Sequence, residues 1–188
     1  MGFRMTLAGA LAVGLVGCSG GGDGSDPICD VLAGGGSTTT SSSTGGMAIS
    51  NAGAVFDGNT GTAASLSTTL SGTATFRGKA QPGVVVPGGR VAGVALDTPT
   101  DGSIVYTIST YLDGVLQERS SVNNETYSSG GTSSQQCADY CVNRGNGTSY
   151  VGLTTSQAFD EIEVGMDVTN AGDDIRVREL CLETAINF

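Results

Sequence analysis

The sequence predicts an all-β protein, a single jelly-roll β-sandwich that follows an export segment and a flexible tether. Three observations predict it. From Met47 onward, short apolar runs of strand length recur between Gly, Pro, Asn and Asp. In several of these runs apolar and polar residues alternate with the period of two that a half-buried strand requires. No helical pattern longer than one turn interrupts them. Composition agrees: 31 glycines in 188 residues, 14% charged residues, no His and no Trp suit a turn-rich extracellular domain.

Taken in order, Met1 to Arg4 gives a small positive start, Thr6 to Val16 is almost wholly apolar, and the small Gly17 directly precedes Cys18. Eleven residues are too few to span a bilayer, and the order of charge, apolar run and small residue is that of an export signal. The other reading is a buried helix opening the domain. Leu15-Val16-Gly17-Cys18 resembles the lipobox of bacterial lipoproteins, a family in which a peptidase cuts before the cysteine. The thiol then carries a lipid built from diacylglycerol and palmitate. The resemblance implies a signal peptide over residues 1–17, lipidation at Cys18 and a partner membrane. Ser19 in place of Asp after the cysteine implies, by the same likeness, sorting to the outer membrane, on either its periplasmic or its cell-surface face. Ser19 to Asp26 (SGGGDGSD) completes an 18–26 linker with a mean reach of about 15 Å.

Residues 27–188 are enough for one domain with a core of its own. The chain carries 8 basic and 18 acidic residues, and losing Arg4 leaves 7 against 18, a net charge of −11. Such a surface is repelled by nucleic acid and by anionic lipid, which excludes both as ligands. Lipidation would consume one of five cysteines and leave four, the even number expected of an exported protein with two disulfides. Of three pairings, the local Cys137–Cys141 staple and a Cys29–Cys181 bond joining the domain's ends are favoured. The second would close a loop of roughly 150 residues and add about 4–5 kcal/mol. The cysteine spacing lacks the paired ligands of a zinc site.

Pro27–Ala33 is the first strand candidate. Gly34–Gly46 is low-complexity Gly/Ser/Thr that buries too little to order itself and is expected to be a loop. Further strands are expected at Ala63–Leu70, Thr73–Lys79, Arg90–Leu96, Ile104–Leu112, Val115–Ser121, Ser149–Leu153, Ile162–Val168 and Ile175–Glu183. Ile104, Tyr106, Ile108 and Leu112 should share one face, as should Ile162, Val164, Met166 and Val168. Asp113-Gly114 is a two-residue hairpin signal, and Asn170–Asp174 makes the last turn.

One stretch carries chemistry. Ala54 to Thr62 (AVFDGNTGT) presents the side-chain oxygens of Asp57, Asn59 and Thr62 within six residues. Gly58 and Gly61 let the backbone fold so that carbonyls turn inward too. A calcium ion takes six to eight such oxygens, and one formal charge is too few, so a second carboxylate is needed. Glu179 is the candidate, because period-two alternation puts it on one face with Ile175, Val177 and Cys181, where an unpaired acid is costly. The alternative is a plain polar turn, since Asp, Asn and Gly are turn residues in any case.

The D-G-N-x-x-T stretch at 57–62 and the Arg178-Glu179-Leu180 near the end resemble the galactose-binding-like jelly roll of discoidin and coagulation-factor domains. That resemblance implies a structural calcium held by Asp57, Asn59, Thr62 and Glu179, with backbone oxygens near Ala54 and Arg178. Asp57–Leu66, Tyr106–Glu118 and Phe159–Val164 are similar to sandwich modules of exported bacterial surface proteins. Sugar-binding members use loop aromatics. Tyr127, Tyr140 and Tyr150, with Arg144 for hydrogen bonds, are the candidates here; packing beneath a loop is the other reading.

Catalysis finds little support. Without His there is no Ser-His-Asp or Cys-His arrangement. Asp160 and Glu161 point to opposite faces of a strand and cannot flank one bond; Glu161 and Glu163 share a face but suit a solvated surface. The sequence therefore predicts a membrane-anchored, extracytoplasmic, non-catalytic binding or adhesion module for carbohydrate or another surface protein. The alternative is a structural subunit of a surface assembly.

Overall fold

Alternation leaves several strands with one apolar side, and the chain buries those sides by stacking two antiparallel sheets. A computed structural model describes residues 28–32, 39–68, 71–97, 104–124, 140–143, 148–169 and 175–185. Side chains of 28–32, 39–40, 122–124, 140–143, 148–149 and 183–185 are outside that description. The expected signal peptide, Cys18, the linker, Tyr127, Cys137 and Arg144 therefore lie outside the described residues, as do the side chains of Cys29, Tyr140 and Cys141.

The strands are β1 (Ile28–Leu32), β2 (Thr39–Thr44), β3 (Ala48–Ser50), β4 (Ala64–Ser67), β5 (Gly72–Lys79), β6 (Val91–Asp97) and β7 (Ile104–Leu112). They continue with β8 (Val115–Asn124), β9 (Tyr140–Asn143), β10 (Thr148–Thr154), β11 (Glu161–Val168) and β12 (Ile175–Ala185). One sheet of seven strands runs β3-β4-β12-β6-β10-β9, with β1 also on β12; the other, of five, runs β2-β5-β11-β7-β8. The architecture is the predicted β-sandwich. Between the sheets Phe76, Ile108, Ile162, Val164 and Met166 meet Val94, Leu96, Val151, Val177, Leu180 and Leu182, all buried. A short 3-10 turn, Ala52–Phe56, adds Val55 to the core and sets Phe56 against Phe76 with ring centroids 6.2 Å apart.

The predicted hairpin is present: Asp113 (φ 51°) and Gly114 (φ 78°) both take the positive φ of a primed two-residue turn. Leu112, half-buried, stays on the face of Ile104, Tyr106 and Ile108, because β7 pairs with β11 without a shift through Tyr111; the β7–β8 shift skips Gln117 and so lies in β8. Two expectations change. Thr39–Thr44 is a strand, not part of a loop, because an edge strand gains its order from ladder hydrogen bonds to β5 while Ser41 to Thr44 stay exposed. Glu179 and Cys181 leave the face of Ile175 and Val177. The β12–β6 register shifts between Val177 and Glu179, setting Glu179 opposite Ala95, Leu180 opposite Val94 and Cys181 opposite Gly93. Arg178 is the extra residue of this bulge, and beyond it the alternation reverses.

The seven-stranded sheet also buries part of its other face, where Val91, Ala95, Tyr150 and Cys181 cluster. Tyr150, expected in an exposed stacking surface, is 1% exposed and packs over the facing pair Gly93 and Gly152. Its aromatic body fills space that two absent side chains leave open. Cys181 is wholly buried and disulfide-bonded. The β1–β12 register sets Leu32 opposite Cys181 and Cys29 opposite Thr184. The partner of Cys181, and with it the expected Cys29–Cys181 pairing, lies outside the described side chains.

Glu118 of β8 ties the sheet to a loop. It accepts hydrogen bonds from the Ser156 amide (2.9 Å), the Ser156 hydroxyl (2.7 Å) and the Gln157 amide (3.1 Å). Burial alone would raise its pKa, but these donors outweigh burial and hold the carboxyl below its usual range. Its stabilisation is therefore present above the unfolded value near pH 4.5 and is lost as pH falls through the lower folded value. Glu118→Gln should cost about 1 kcal/mol at pH 7, after allowance for solvent screening. Urea titrations should find that difference shrinking toward zero in strong acid; a difference independent of pH would contradict the assignment.

Candidate functional site

The loop between the 3-10 turn and β4 folds as its Asx residues require. Asn51, in the left-handed region at φ 54°, donates from Nδ2 to the Ala63 carbonyl at 3.0 Å, closing the base of the loop. Asp57 Oδ1 accepts from the Asn59 amide (2.9 Å), and Oδ2 accepts from the Thr62 hydroxyl (2.8 Å). Asn59 Oδ1 accepts from the Gly61 amide (3.0 Å), and the Asn59 carbonyl accepts from Thr62 Oγ1 (2.8 Å). These are the bonds of consecutive Asx turns, and Gly58 at φ 75° supplies the reversal. Taken alone, they are what a plain polar turn would show.

Glu179 is what a plain turn does not explain. Its side chain is wholly buried, and neither Oε1 nor Oε2 has a hydrogen-bond partner. Burial, and next the negative charge of Asp57, push its pKa to about 8; the backbone amides of Asn59, Gly58 and Leu180 act in the opposite sense. The fold brings Glu179 from β12 against the 57–62 loop, 117 positions away by the numbering of Thr62 and Glu179. Arg178 of the bulge fastens the two together. It pairs with Asp97 of β6 and donates from Nη1 to the Thr60 carbonyl at 2.7 Å.

These donors suit a hard divalent cation. Two carboxylates, one amide oxygen and one hydroxyl are all oxygen ligands, and the Glu179 oxygens make no hydrogen bond, with only the backbone amides of Asn59, Gly58 and Leu180 acting to favour their charge. Asp57, Asn59, Thr62 and Glu179 would hold calcium, whose charge would offset the burial of an ionised carboxylate. Among the described residues no group of three or more His, Cys, Asp or Glu forms a metal cluster, so a cation here would need backbone oxygens or water to complete its shell.

A second polar constellation lies on the solvent side of the five-stranded sheet, and its organising residue was not singled out in the sequence. Arg77 on β5 donates from Nε to Glu161 Oε1 (2.8 Å) and from Nη2 to Oε2 (3.0 Å), a bidentate pair. It also approaches Glu163 (3.6 Å) and lies over the Tyr111 ring, 4.2 Å from its centroid. Tyr111 in turn donates to Glu163 Oε1 at 3.2 Å. Lys79 pairs with Asp160 at 2.8 Å. Glu161 and Glu163 share a face as predicted, yet both are committed to one guanidinium. The signal available in the sequence was the register itself: a Thr73–Lys79 strand with Arg77 and Lys79 on one face opposes a strand with acids two apart.

Of the candidate ligand-binding set Tyr127, Tyr140, Arg144 and Tyr150, the structure describes the side chain of Tyr150 alone, and it is buried.

No family model and no curated protein matches the chain. The chain is similar to a solved structure from a study of the promiscuous specificity of carbohydrate-binding modules of the β-sandwich superfamily, with 14% identity and a TM-score of 0.38. The likeness covers 81% of this chain and spans 58% of that one, less than two thirds of its length.

Proposed function

We propose that the chain is an exported, non-catalytic binding module that recognises neutral carbohydrate, held to the outer membrane by a lipid on Cys18. The observation that carries the reading is the Arg77–Glu161–Glu163–Tyr111 constellation. Polar side chains whose rotamers are fixed by mutual pairing on an open sheet form a recognition surface that loses little entropy on binding. A glycosidase needs two carboxylates free to flank one bond; here both acids are already engaged. The Asp57–Glu179 loop is read as a structural calcium site that stiffens one edge of the sandwich rather than as part of the ligand surface.

A glycan array probed with the detergent-solubilised full chain tests the reading. Saturable binding to neutral glycans is expected, and a blank array would remove carbohydrate recognition from the account. Metabolic labelling with palmitate, lost in Cys18→Ala, tests the anchor.

One observation favours the alternative of a structural subunit. β8 is ten residues long and, among the described residues, pairs on one side alone. An open edge of that length can accept a strand from another copy. Concentration-dependent oligomers in light scattering would support this reading over the first.

A further inference from the structure

We infer that the carbohydrate site is a trough running across the strands on the solvent face of the five-stranded sheet, and that it takes an extended, neutral polysaccharide chain. The inference rests on the carbohydrate reading above and assigns its location. The register aligns Ser42, Thr75, Gly165, Thr107 and Ser121 in one row across β2, β5, β11, β7 and β8. Each is at least partly exposed. The row therefore forms a floor of hydroxyls and one bare backbone, four interstrand steps or roughly 19 Å long. Thr107 and Ser121 lie hydroxyl to hydroxyl at 3.4 Å.

Longer side chains rise on both sides. The next row carries Arg77, Glu163 and Arg119, with Arg119 fixed by a hydrogen bond from Nε to Ser109 Oγ (3.0 Å). On the other side Asp167 accepts from Thr73 Oγ1 at 2.6 Å. The walls are thus pinned by their own bonds while keeping further donors and acceptors for a ligand.

Gly165 is the independent observation. Gly93, Gly152 and Gly72 sit where a Cβ would collide with neighbouring atoms, so packing accounts for them. A Cβ on Gly165 would meet nothing nearer than Thr107 at 3.8 Å, and its φ lies outside the left-handed region. Neither packing nor backbone conformation calls for glycine in the interior of β11. A bare position at the centre of an exposed sheet is what the close approach of another chain calls for.

Charge narrows the choice of occupant. Arg77, Lys79 and Arg119 stand against Glu161, Glu163, Asp167 and the Lys79 partner Asp160, three cations to four acids, while the chain as a whole is at −10 and repels polyanions. Arg77 covers one face of Tyr111, so recognition proceeds through hydroxyl groups rather than through stacking and accumulates along the ligand's length.

Affinity electrophoresis of the detergent-solubilised full chain tests the trough, with hydroxyethylcellulose, galactomannan, xylan or dextran in the gel and polygalacturonate as the anionic comparison. At least one neutral polymer should retard the wild type, and polygalacturonate should not. Gly165→Val should weaken that retardation at least tenfold while leaving the melting temperature unchanged or higher. Thr107→Leu obstructs the same floor from the neighbouring strand and serves should Gly165→Val not fold. Undiminished retardation in the folded variants would overturn the trough while sparing carbohydrate binding. Failure of every neutral polymer here, together with a blank glycan array, would overturn both; retardation by polygalacturonate alone would overturn the neutral assignment.

Discussion

Glu179→Gln should melt above the parent protein when both are stripped of divalent ions at pH 8. The sign follows from the burial of Glu179. Its pKa is pushed from an ordinary value of 4.5 to about 8, so below pH 4.5 the folded and unfolded chains are both protonated there and nothing is lost. Between those values the unfolded chain releases its proton while the folded chain keeps it. Folding stability therefore declines across that window and levels off above it. The accumulated cost is on the order of 4–5 kcal/mol, which the neutral amide avoids. For a domain of this size that corresponds to about 8–20 °C. Saturating calcium should reverse the order, raising the parent and leaving the variant unmoved. Calorimetry from pH 4 to pH 9, in chelator and in calcium, reads both effects. A parent indifferent to calcium would reduce the 57–62 loop to a turn and leave the acid unexplained.

Gly93→Ala should be among the most damaging single methyls that can be added at the described glycines. Gly93 lies in β6 opposite Gly152 of β10 and Cys181 of β12, with ladders on both sides. A Cβ there would fall 2.6 Å from the Gly152 Cα and 2.9 Å from the Tyr150 hydroxyl oxygen. Tyr150 is buried and has no open side to swing toward, and the Gly152 backbone belongs to a central strand. Relief requires the sheet to spread, at about 3 kcal/mol or more. Gly165→Ala is the matched control: the same methyl enters open space, and a strand-interior alanine should be neutral or stabilising by up to about 1 kcal/mol. Urea denaturation of the two variants gives the comparison. Equal losses would mean that both effects arise in the unfolded chain.

The frame of the molecule was legible because its signals are local. Alternation over Ile162–Val168 and the Asp113-Gly114 turn each depend on a few adjacent residues, and both appear where expected. The site was half legible. Asp57, Asn59 and Thr62 are neighbours in sequence, and Glu179 was found because an acid interrupts an apolar strand. The reason given for its burial was nonetheless wrong. A bulge at Arg178 reverses the alternation, so Glu179 is buried beneath the loop rather than between the sheets. A bulge arises from how two distant strands settle against each other, and one strand read alone does not reveal it. The same holds for β2, whose Thr/Ser run has no apolar side and becomes a strand only because β5 offers it an edge. Arg77 escaped notice for a related reason: one arginine in a strand is unremarkable until the pairing of β5 with β11 sets it beside two acids.

β1 runs beside β12, with Ile28 opposite Ala185. The first and last described strands therefore zip together, and both backbones leave from one pole. Residues 28 and 185 could be joined by a short linker and the chain reopened at Asp113-Gly114. Such a rearranged polypeptide should keep the same sandwich, which would make the order of its segments, unlike their pairing, dispensable to the architecture.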